Sequence, residues 1–388
     1  MDFDFNDEQL AIRAAIQKIC EGFPAEYWLE RDTDGRFPED FVAAITGGGW
    51  LGIAMPEEYG GAGLGITEAS ILTHTIARSG AGFSGASAIH LNLFGPQPIV
   101  VFGTEEQKSR LLPPLIKGED RACFGVTEPD AGLNTTKLQT MAVRNGDHYV
   151  INGRKMWTTT AQTANKILLI VRTSSLDSGV PPAKGLTLFY TDLDRERIEV
   201  REIDKMGRKA IDTNALFIDD LIVPVEDRIG EEGEGWKCLL HGLNPERILI
   251  SAEAVGLGQA ALERASNYAR ERVVFDRSIG KNQAIQHPLA VNWMELEAAY
   301  NMMLKAATLY DQGKPCGREA NAAKYLAAEA GLSACQRAVL THGGMGYAKE
   351  FHVERYLREM MIPAIAPISQ ELVKSFIAEK VLEQEKSY

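Results

Sequence analysis

The spacing of apolar residues changes twice along the 388-residue chain, and this limits the possible folds more than any other feature. Up to about Lys117 the apolar residues recur as they do on helices, and between about Asp120 and Arg228 they alternate as in strands. Beyond Glu232 the helical spacing returns over long, alanine-rich segments. We therefore predict an α+β multidomain protein with a helical region, a small antiparallel β domain or barrel, and a helical bundle.

The first region begins with FNDEQLAIRAAIQKIC, which is typical of an amphipathic helix. Asn6 is the expected N-cap. The predicted apolar face comprises Phe5, Leu10, Ile12, Ile16 and Ile19. Further along, PEEYGGAGLGITEA is a glycine-rich connector between helices. Because no strand precedes it and its glycines lack the GxGxxG spacing, we do not predict a nucleotide-binding loop there.

The middle region carries the signals of short strands. The segments KILLIVRT, GLTLFYTD, RIEVREI and ALFIDDLIVP are separated by Gly, Pro, Asp and Ser residues. Two Asn-Gly pairs occur nearby, at Asn145–Gly146 and Asn152–Gly153. The second pair lies between alternating residues in HYVINGRKMW and predicts the turn of a β-hairpin.

The charge balance and the composition exclude several classes of function. A formal net charge of -12 argues against a broad nucleic-acid surface and against a polybasic membrane anchor. No apolar run approaches the length of a membrane span, and the acidic N-terminal segment does not resemble a signal peptide. The five cysteines and seven histidines show no metal-ligand spacing. We expect a cytoplasmic protein without a metal site.

The stretch LNPERILISAEAVGLG places Glu246 and Arg247 at the head of a nearly apolar run. Asn244 and Pro245 just before them suit the start of a helix, and an acid in the next position complements the helix dipole. The alternative is a functional carboxylate that faces a dry pocket. The local sequence favours the first interpretation, and the rest of the chain reverses that preference.

Five motifs in order resemble the acyl-CoA dehydrogenase family of FAD enzymes, and the resemblance extends over essentially the whole chain. The motifs are PEEYGGAG, CFGVTEPDAGLNTT, NGRKMWTTTA, ERVVFDRSIGKNQAIQ and THGGMGYAKEFHVERYLRE. The resemblance implies an N-terminal α-helical domain, a middle antiparallel β-barrel and a C-terminal four-helix bundle, at residues 1–120, 121–229 and 230–388. It also implies bound FAD and a homotetramer built as a dimer of dimers.

The resemblance assigns cofactor-binding roles residue by residue. One group is expected around the flavin ring and the pyrophosphate: Phe124, Val126, Thr127, Gly132, Leu133, Trp157 and Thr159. Thr159 is expected near the flavin N5, and Trp157 is expected to cover the ring. A second group is expected to reach the FAD of a neighbouring subunit or its adenosine half: Arg272, Phe275, Gln283, Gly343, Gly344 and Ser369.

The chain departs from the commonest family members at the catalytic position near the C-terminus. Pro367 stands where those members have a glutamate, and proline can act neither as a base nor as an N–H donor to the thioester carbonyl. Other members carry the base on the first helix of the C-terminal domain, directly before an arginine, as in LNPERIL. Glu246 is therefore the expected base, and Asn244, Arg247 and Leu133 are expected to contact substrate.

Two smaller departures are Leu133, where the family usually has Ser, and Leu340, where it has Gln. Residues Asn134, Thr135 and Thr136 could supply the missing hydroxyl. The helix that carries Glu246 either begins near Gly235–Trp236, with Pro245 in its interior, or restarts at Asn244.

The predicted function is the oxidation of a fatty or branched-chain acyl-CoA to the trans-2-enoyl-CoA, with electrons passed to electron-transfer flavoprotein. The alternative is an oxygen-using flavoenzyme of the same fold, such as an acyl-CoA oxidase, a nitroalkane oxidase or a flavin-dependent hydroxylase. A non-enzymatic helical scaffold without flavin is a third reading, and the intact Trp157–Thr159 and Arg272–Phe275 segments argue against it.

Overall fold

The structure is a computed structural model that describes residues 4–386. Residues 1–3 and 387–388, at the outer ends of the first and third predicted domains, lie outside this range. The N-terminal region is helical, as predicted. Its helices are α1 (Asp7–Glu21), α2 (Ala25–Asp34), α3 (Glu39–Gly47), α4 (Ile66–Ile76), α5 (Gly82–Phe94), α6 (Gln97–Phe102) and α7 (Glu105–Ile116).

Helix α1 begins where the sequence predicts. The Asn6 side chain accepts a hydrogen bond from the N–H of Gln9, and the Gln9 side chain accepts one from the N–H of Asn6, which forms a capping box. Ile12 and Ile16 of the predicted face are buried, whereas Leu10 is exposed. The apolar face of α1 is therefore narrower than its sequence indicates.

A π-helical turn at Ala77–Ala81 separates α4 from α5 and sets the direction of α5. Gly80 and Gly82 have φ angles of 95° and 62°, which side chains other than glycine rarely adopt. The carbonyl of Gly80 accepts a hydrogen bond of 2.6 Å from the buried Arg355 guanidinium. This turn places one face of α5 against the C-terminal helices.

The middle region forms one large mixed sheet. Its strands are β1 (Ala122–Gly125), β2 (Met141–Asn145), β3 (His148–Thr159), β4 (Lys166–Arg172), β5 (Leu186–Asp192), β6 (Ile198–Glu202), β7 (Thr213–Pro224) and β8 (Arg228–Ile229). The hydrogen-bonded order is β6-β7-β3-β2-β4-β5-β8, and β1 pairs with β4. The four strands predicted from KILLIVRT, GLTLFYTD, RIEVREI and ALFIDDLIVP are β4 to β7.

The predicted antiparallel β-barrel is wrong in two respects. A barrel requires its first and last strands to bond to each other, but within residues 4–386 the path ends at β6 and at the two-residue β8. The sheet is also not purely antiparallel, because β1 and β2 both pair with β4 in parallel. It is open.

The hairpin turn predicted at Asn152–Gly153 is also wrong. Strand β3 continues through this pair, which coincides with a register shift against β7. The Asn152 side chain is held there by hydrogen bonds to Asp220 of β7. The turn lies at the first Asn-Gly pair, between β2 and β3, where Gly146 has a φ of 63°.

The C-terminal region is helical, as predicted. Its elements are α8 (Gly235–Glu271), the small hairpin of β9 (Val273–Val274) and β10 (Arg277–Ser278), α9 (Gln283–Asp311), α10 (Gly317–His342), α11 (Val353–Met360), α12 (Ile362–Ile365) and α13 (Gln370–Lys380). The long helices α8, α9 and α10 pack on one another, and α13 packs against α10. Within residues 4–386, no helix is long and apolar enough to cross a bilayer.

Helix α8 decides between the two predicted starting points. It runs without a break from Gly235 to Glu271, with Pro245 buried in its interior. A proline there removes one hydrogen bond of the helix, because it has no N–H. Glu246 therefore lies inside a helix rather than at its beginning, so complementing the helix dipole no longer accounts for it.

Candidate active site

Glu246 is a partly buried carboxylate that makes no hydrogen bond or ion pair with any other side chain of residues 4–386. Burial raises its pKa from 4.5 to about 7, and the positive charges of His90 and Arg247 only partly oppose this rise. Removal from water disfavours the ionised form, which is the general cause of such a shift. The group is therefore able to exchange a proton near neutral pH.

Arg247, the residue after Glu246, is also partly buried. Its Nη1 donates a hydrogen bond of 3.1 Å to the Oδ1 of Asn244, and its Nε has no partner in the described part of the chain. Lys324 donates to the carbonyl of Ile368 at 2.6 Å, and burial, together with the charge of Arg247, lowers the pKa of Lys324 to about 8. The predicted substrate residues Asn244 and Arg247 thus lie close to the C-terminal loop that contains Ile368.

The structure brings together the residues predicted to surround a flavin ring. The N–H of Met156 donates a hydrogen bond of 2.8 Å to the carbonyl of Thr127, which joins the end of β1 to the end of β3. A β-bulge follows in β3, and Trp157 within it has a φ of 61° and a side chain that is 57% exposed. Bulges commonly redirect a side chain in this way. Trp157 and Thr159 consequently line a surface that an aromatic ring system can cover.

The other walls of this surface are apolar and come from two elements. Phe124 of β1 is partly buried, and its ring centroid is 6.0 Å from that of Phe94 on α5. Val126 is also partly buried and packs at the edge of the same core. An exposed tryptophan opposite partly buried apolar residues fits a flat, largely apolar ligand such as isoalloxazine.

The loop after β1, residues 126–140, is anchored by a buried ion pair. The Nζ of Lys155 lies 2.9 Å from the Oε1 of Glu128 and 3.1 Å from the carbonyl of Val126. Glu128 also accepts the N–H groups of Gln139 and Thr140 at 2.6 and 3.0 Å. These bonds hold the two ends of the loop together and leave its tip exposed to solvent.

Gly132 and Leu133 lie exposed at the tip of that loop, and Leu133 is 62% exposed. The hydroxyls of Thr135 and Thr136 are engaged locally, by the carbonyl of Gly132 and the side chain of Asn134, each at 3.1 Å. These polar groups fit the phosphates of a dinucleotide, which backbone N–H groups and hydroxyls commonly hold.

The second predicted group is spread over the C-terminal elements, and its first member, Arg272, lies far from Glu246 along α8. Arg272 ends α8 and lies 26 residues beyond Glu246, which corresponds to about 39 Å along the helix. Phe275 follows in the β9–β10 hairpin and is 94% exposed. Four other members of the group are Gln283, Gly343 and Gly344, which are exposed, and Ser369, which caps α13 through the N–H of Leu372.

Sequence reasoning missed a buried polar group next to Glu246. The Nδ1 of His90 on α5 lies 2.5 Å from the Oε1 of Glu253, which is fully buried. Arg208, in the segment between β6 and β7, donates to the Ser87 hydroxyl of α5 at 3.1 Å. Of these four residues, only Glu253 could be anticipated from the sequence. It follows Glu246 by seven residues and therefore shares its face of α8.

Three family models match consecutive parts of the chain. The model described as acyl-CoA dehydrogenase, N-terminal domain, matches residues 6–119. The middle-domain model matches residues 123–221. The C-terminal-domain model matches residues 233–382. Together they cover most of the chain.

Individual proteins of this kind resemble the whole chain. A probable acyl-CoA dehydrogenase, YngJ, of Bacillus subtilis is 36% identical over 384 residues, which are 98% of this chain and 100% of that protein. The structure of butyryl-CoA dehydrogenase from Megasphaera elsdenii has a TM-score of 0.93 at 30% identity and covers 99% of this chain and 100% of its own. A glutaryl-coenzyme A dehydrogenase in complex with glutaryl-CoA has a TM-score of 0.94 at 30% identity, over 100% and 98% of the two chains.

Proposed function

This chain belongs to the acyl-CoA dehydrogenase family, FAD-dependent oxidoreductases that act on CH–CH groups, and we propose that Glu246 is the base of its reaction. The proposed reaction converts a fatty or branched-chain acyl-CoA to the trans-2-enoyl-CoA. The observation that carries the proposal is the unpaired, partly buried carboxylate of Glu246, whose pKa burial raises to about 7. A carboxylate so tuned is suited to remove a weakly acidic α-proton.

Bound FAD supplies the acceptor for the hydride that leaves the β-carbon. Trp157, Thr159, Phe124, Val126 and Thr127 would hold its ring. The protein's own part in the step is to hold the thioester against Glu246 and to exclude water, so that the carboxylate is poorly solvated and strongly basic. Arg247 and Asn244, which are bonded to each other, are proposed to contact the adjacent part of the substrate.

The thioester carbonyl needs hydrogen-bond donors, because negative charge develops on its oxygen as the α-proton leaves. Pro367 provides no N–H at the position where most members provide one. The N–H of the next residue, Ile368, has no hydrogen-bond partner within residues 4–386, while its carbonyl is fixed by Lys324. The proposal therefore assigns this donor role to Ile368.

Electrons are proposed to pass to electron-transfer flavoprotein, and the enzyme is proposed to be a homotetramer. The exposed Phe275 and the distance between Arg272 and Glu246 support a shared cofactor site, because this end of α8 lies far from the Glu246 of its own chain and Phe275 is accessible to the FAD of a neighbouring subunit. Exposed apolar residues on α9, Trp293 and Met294, offer a second contact surface of the kind that interfaces use.

The test is anaerobic titration of the FAD-loaded protein with acyl-CoAs of different lengths and branching. We expect loss of the flavin absorbance with at least one of them, and a decrease of several orders of magnitude in the rate for Glu246→Gln with FAD retained. Glu263→Gln, an exposed glutamate on the same helix, is the matched control and should react normally. No bleaching by any acyl-CoA, or a fully active Glu246→Gln, would refute the proposal.

Oxygen as electron acceptor is the second candidate, and Pro367 is the feature that favours it, since it changes the residue beside the reacting centre. Mixing the reduced protein with air distinguishes an oxidase from a dehydrogenase. Rapid reoxidation with formation of peroxide supports the oxidase, and slow reoxidation that electron-transfer flavoprotein accelerates supports the dehydrogenase.

A further inference from the structure

Arg208 is a buried cation without an anionic partner. It is 9% exposed, and within residues 4–386 it forms no ion pair. Its Nη1 donates to the Oγ of Ser87 at 3.1 Å, its Nη2 lies 3.5 Å from the Oγ1 of Thr159, and its Nε has no partner. Buried charges are normally paired, so a guanidinium held only by hydroxyl groups indicates that an anion belongs beside it.

The carboxylates nearest to Arg208 are all engaged by other groups. Glu253 pairs with His90. Glu359 accepts the Oγ of Ser84 at 2.7 Å and the Nη1 of Arg355 at 3.2 Å, and Asp212 accepts the N–H of Gln162 at 3.0 Å. Their charges stabilise the guanidinium from a distance, but within residues 4–386 none of them forms an ion pair with it.

The position of Arg208 relates it to the site of Glu246. Ser87 and His90 are three residues apart and share a face of α5. His90 uses Nδ1 for Glu253, and its Nε2 has no partner within residues 4–386. Glu253 lies on the Glu246 face of α8, about 10.5 Å further along the helix. Arg208, Ser87 and His90 thus form a group of donors on the side of α5 that faces this part of α8, and His90 is near enough to Glu246 for its charge to act on that carboxylate.

We propose that Arg208 binds a second carboxylate, carried by the far end of the acyl group, so that the substrate is the CoA monothioester of a dicarboxylic acid. The inference rests on the proposed function of Glu246. A guanidinium binds a carboxylate through two parallel hydrogen bonds, and Ser87 and His90 add donors to the same oxygens. A hydroxyl or a water molecule would satisfy the free Nε but would not form an ion pair with the buried guanidinium.

The experiment compares glutaryl-, adipyl- and suberyl-CoA with valeryl-, hexanoyl- and octanoyl-CoA, using the FAD-loaded enzyme. We expect at least about tenfold higher kcat/KM for one dicarboxylic thioester than for its length-matched partner. Arg208→Met should reduce that ratio about thirtyfold or more, the lower range for truncating one partner of a buried charge pair. Arg208→Met should raise KM for the dicarboxylic thioester. It should also raise Kd for that thioester, measured from flavin absorbance in a Glu246→Gln background.

Arg201→Met removes an exposed arginine of β6, 63% exposed at its side chain, and should leave the ratio unchanged. A wild-type preference for the monocarboxylic thioesters, or an Arg208→Met variant that slows both classes equally, would overturn the inference and leave the proposed function intact. If none of the six thioesters nor any branched acyl-CoA bleaches the flavin, both fail. Recovery of the ratio in Arg208→Lys would support a role for the charge.

Discussion

The Nδ1 of His90 lies 2.5 Å from the Oε1 of Glu253, and these two residues join α5 to α8 at the side of the site. Burial disfavours the charged imidazole, but the charge and hydrogen bond of Glu253 outweigh it, so the pKa of His90 is raised above 6.5. The second carboxylate oxygen of Glu253 has no hydrogen-bond partner among residues 4–386. His90 is therefore the direct partner of this fully buried carboxylate, and Arg208 acts on it from a distance.

Breaking this pair on one side should cost more than replacing both partners. His90→Leu leaves Glu253 buried and unpaired, and we expect a loss of about 3–5 kcal/mol in the free energy of unfolding. The double variant His90→Leu/Glu253→Leu should lose much less, because two apolar side chains fill the same space. Denaturant unfolding of the three proteins checks this, and equal losses for the single and double variants would contradict it.

The pH dependence of the same pair has a defined sign. Because the folded-state pKa of His90 is raised, the stabilisation by its proton is complete below about pH 6.5 and is lost as pH rises through the raised value. The difference between wild type and His90→Leu should therefore shrink in alkaline buffer. A difference that grows with pH would show that His90 is neutral in the folded protein.

Turnover should follow the ionisation of Glu246. A base acts only when deprotonated, so kcat/KM should rise about tenfold per pH unit below about 7 and level off above it. The ionisation of Glu246 also changes the free energy of unfolding. A carboxylate with a raised folded-state pKa contributes stability below its ordinary pKa of 4.5 and loses it as pH rises through about 7.

Glu246→Gln removes this ionisation and should be more stable relative to wild type at pH 8 than at pH 5. Thermal unfolding at the two pH values measures the difference. A flat activity profile between pH 5 and pH 8 would be incompatible with Glu246 as the base.

Several features of the fold that depend on neighbouring residues could be predicted from the sequence. The capping box at Asn6 and the strands β4 to β7 follow from neighbours in the chain, whereas the choice of Glu246 rests on the family resemblance. The two sites share the Asn-Gly dipeptide, and the pairing of β3 with β7 decides that Asn152–Gly153 is a bulge. Closure of a sheet likewise depends on its distant edges. His90 and Glu253 are separated by 163 residues, so nothing local indicated their contact.

The buried ion pair of Lys155 and Glu128 gives a last prediction, about cofactor retention. Burial lowers the pKa of Lys155 to about 8 in spite of the charge of Glu128, so the pair is ionised at neutral pH. Lys155→Met would leave Glu128 with only its backbone donors, and we expect a loss of about 3–5 kcal/mol in unfolding free energy.

The loop that carries Gly132 and Leu133 should also loosen, since Glu128 closes it. Dilution of the FAD-loaded variant followed by filtration should therefore recover less bound flavin than wild type. Lys166→Met breaks an ion pair with Asp192 on the same sheet, whose carboxylate is 77% exposed, and should cost less than about 1 kcal/mol without loss of FAD. Equal behaviour of the two lysine variants would show that the buried pair does not hold the loop, because Lys155 bonds to two residues of that loop and Lys166 pairs with an exposed residue outside it.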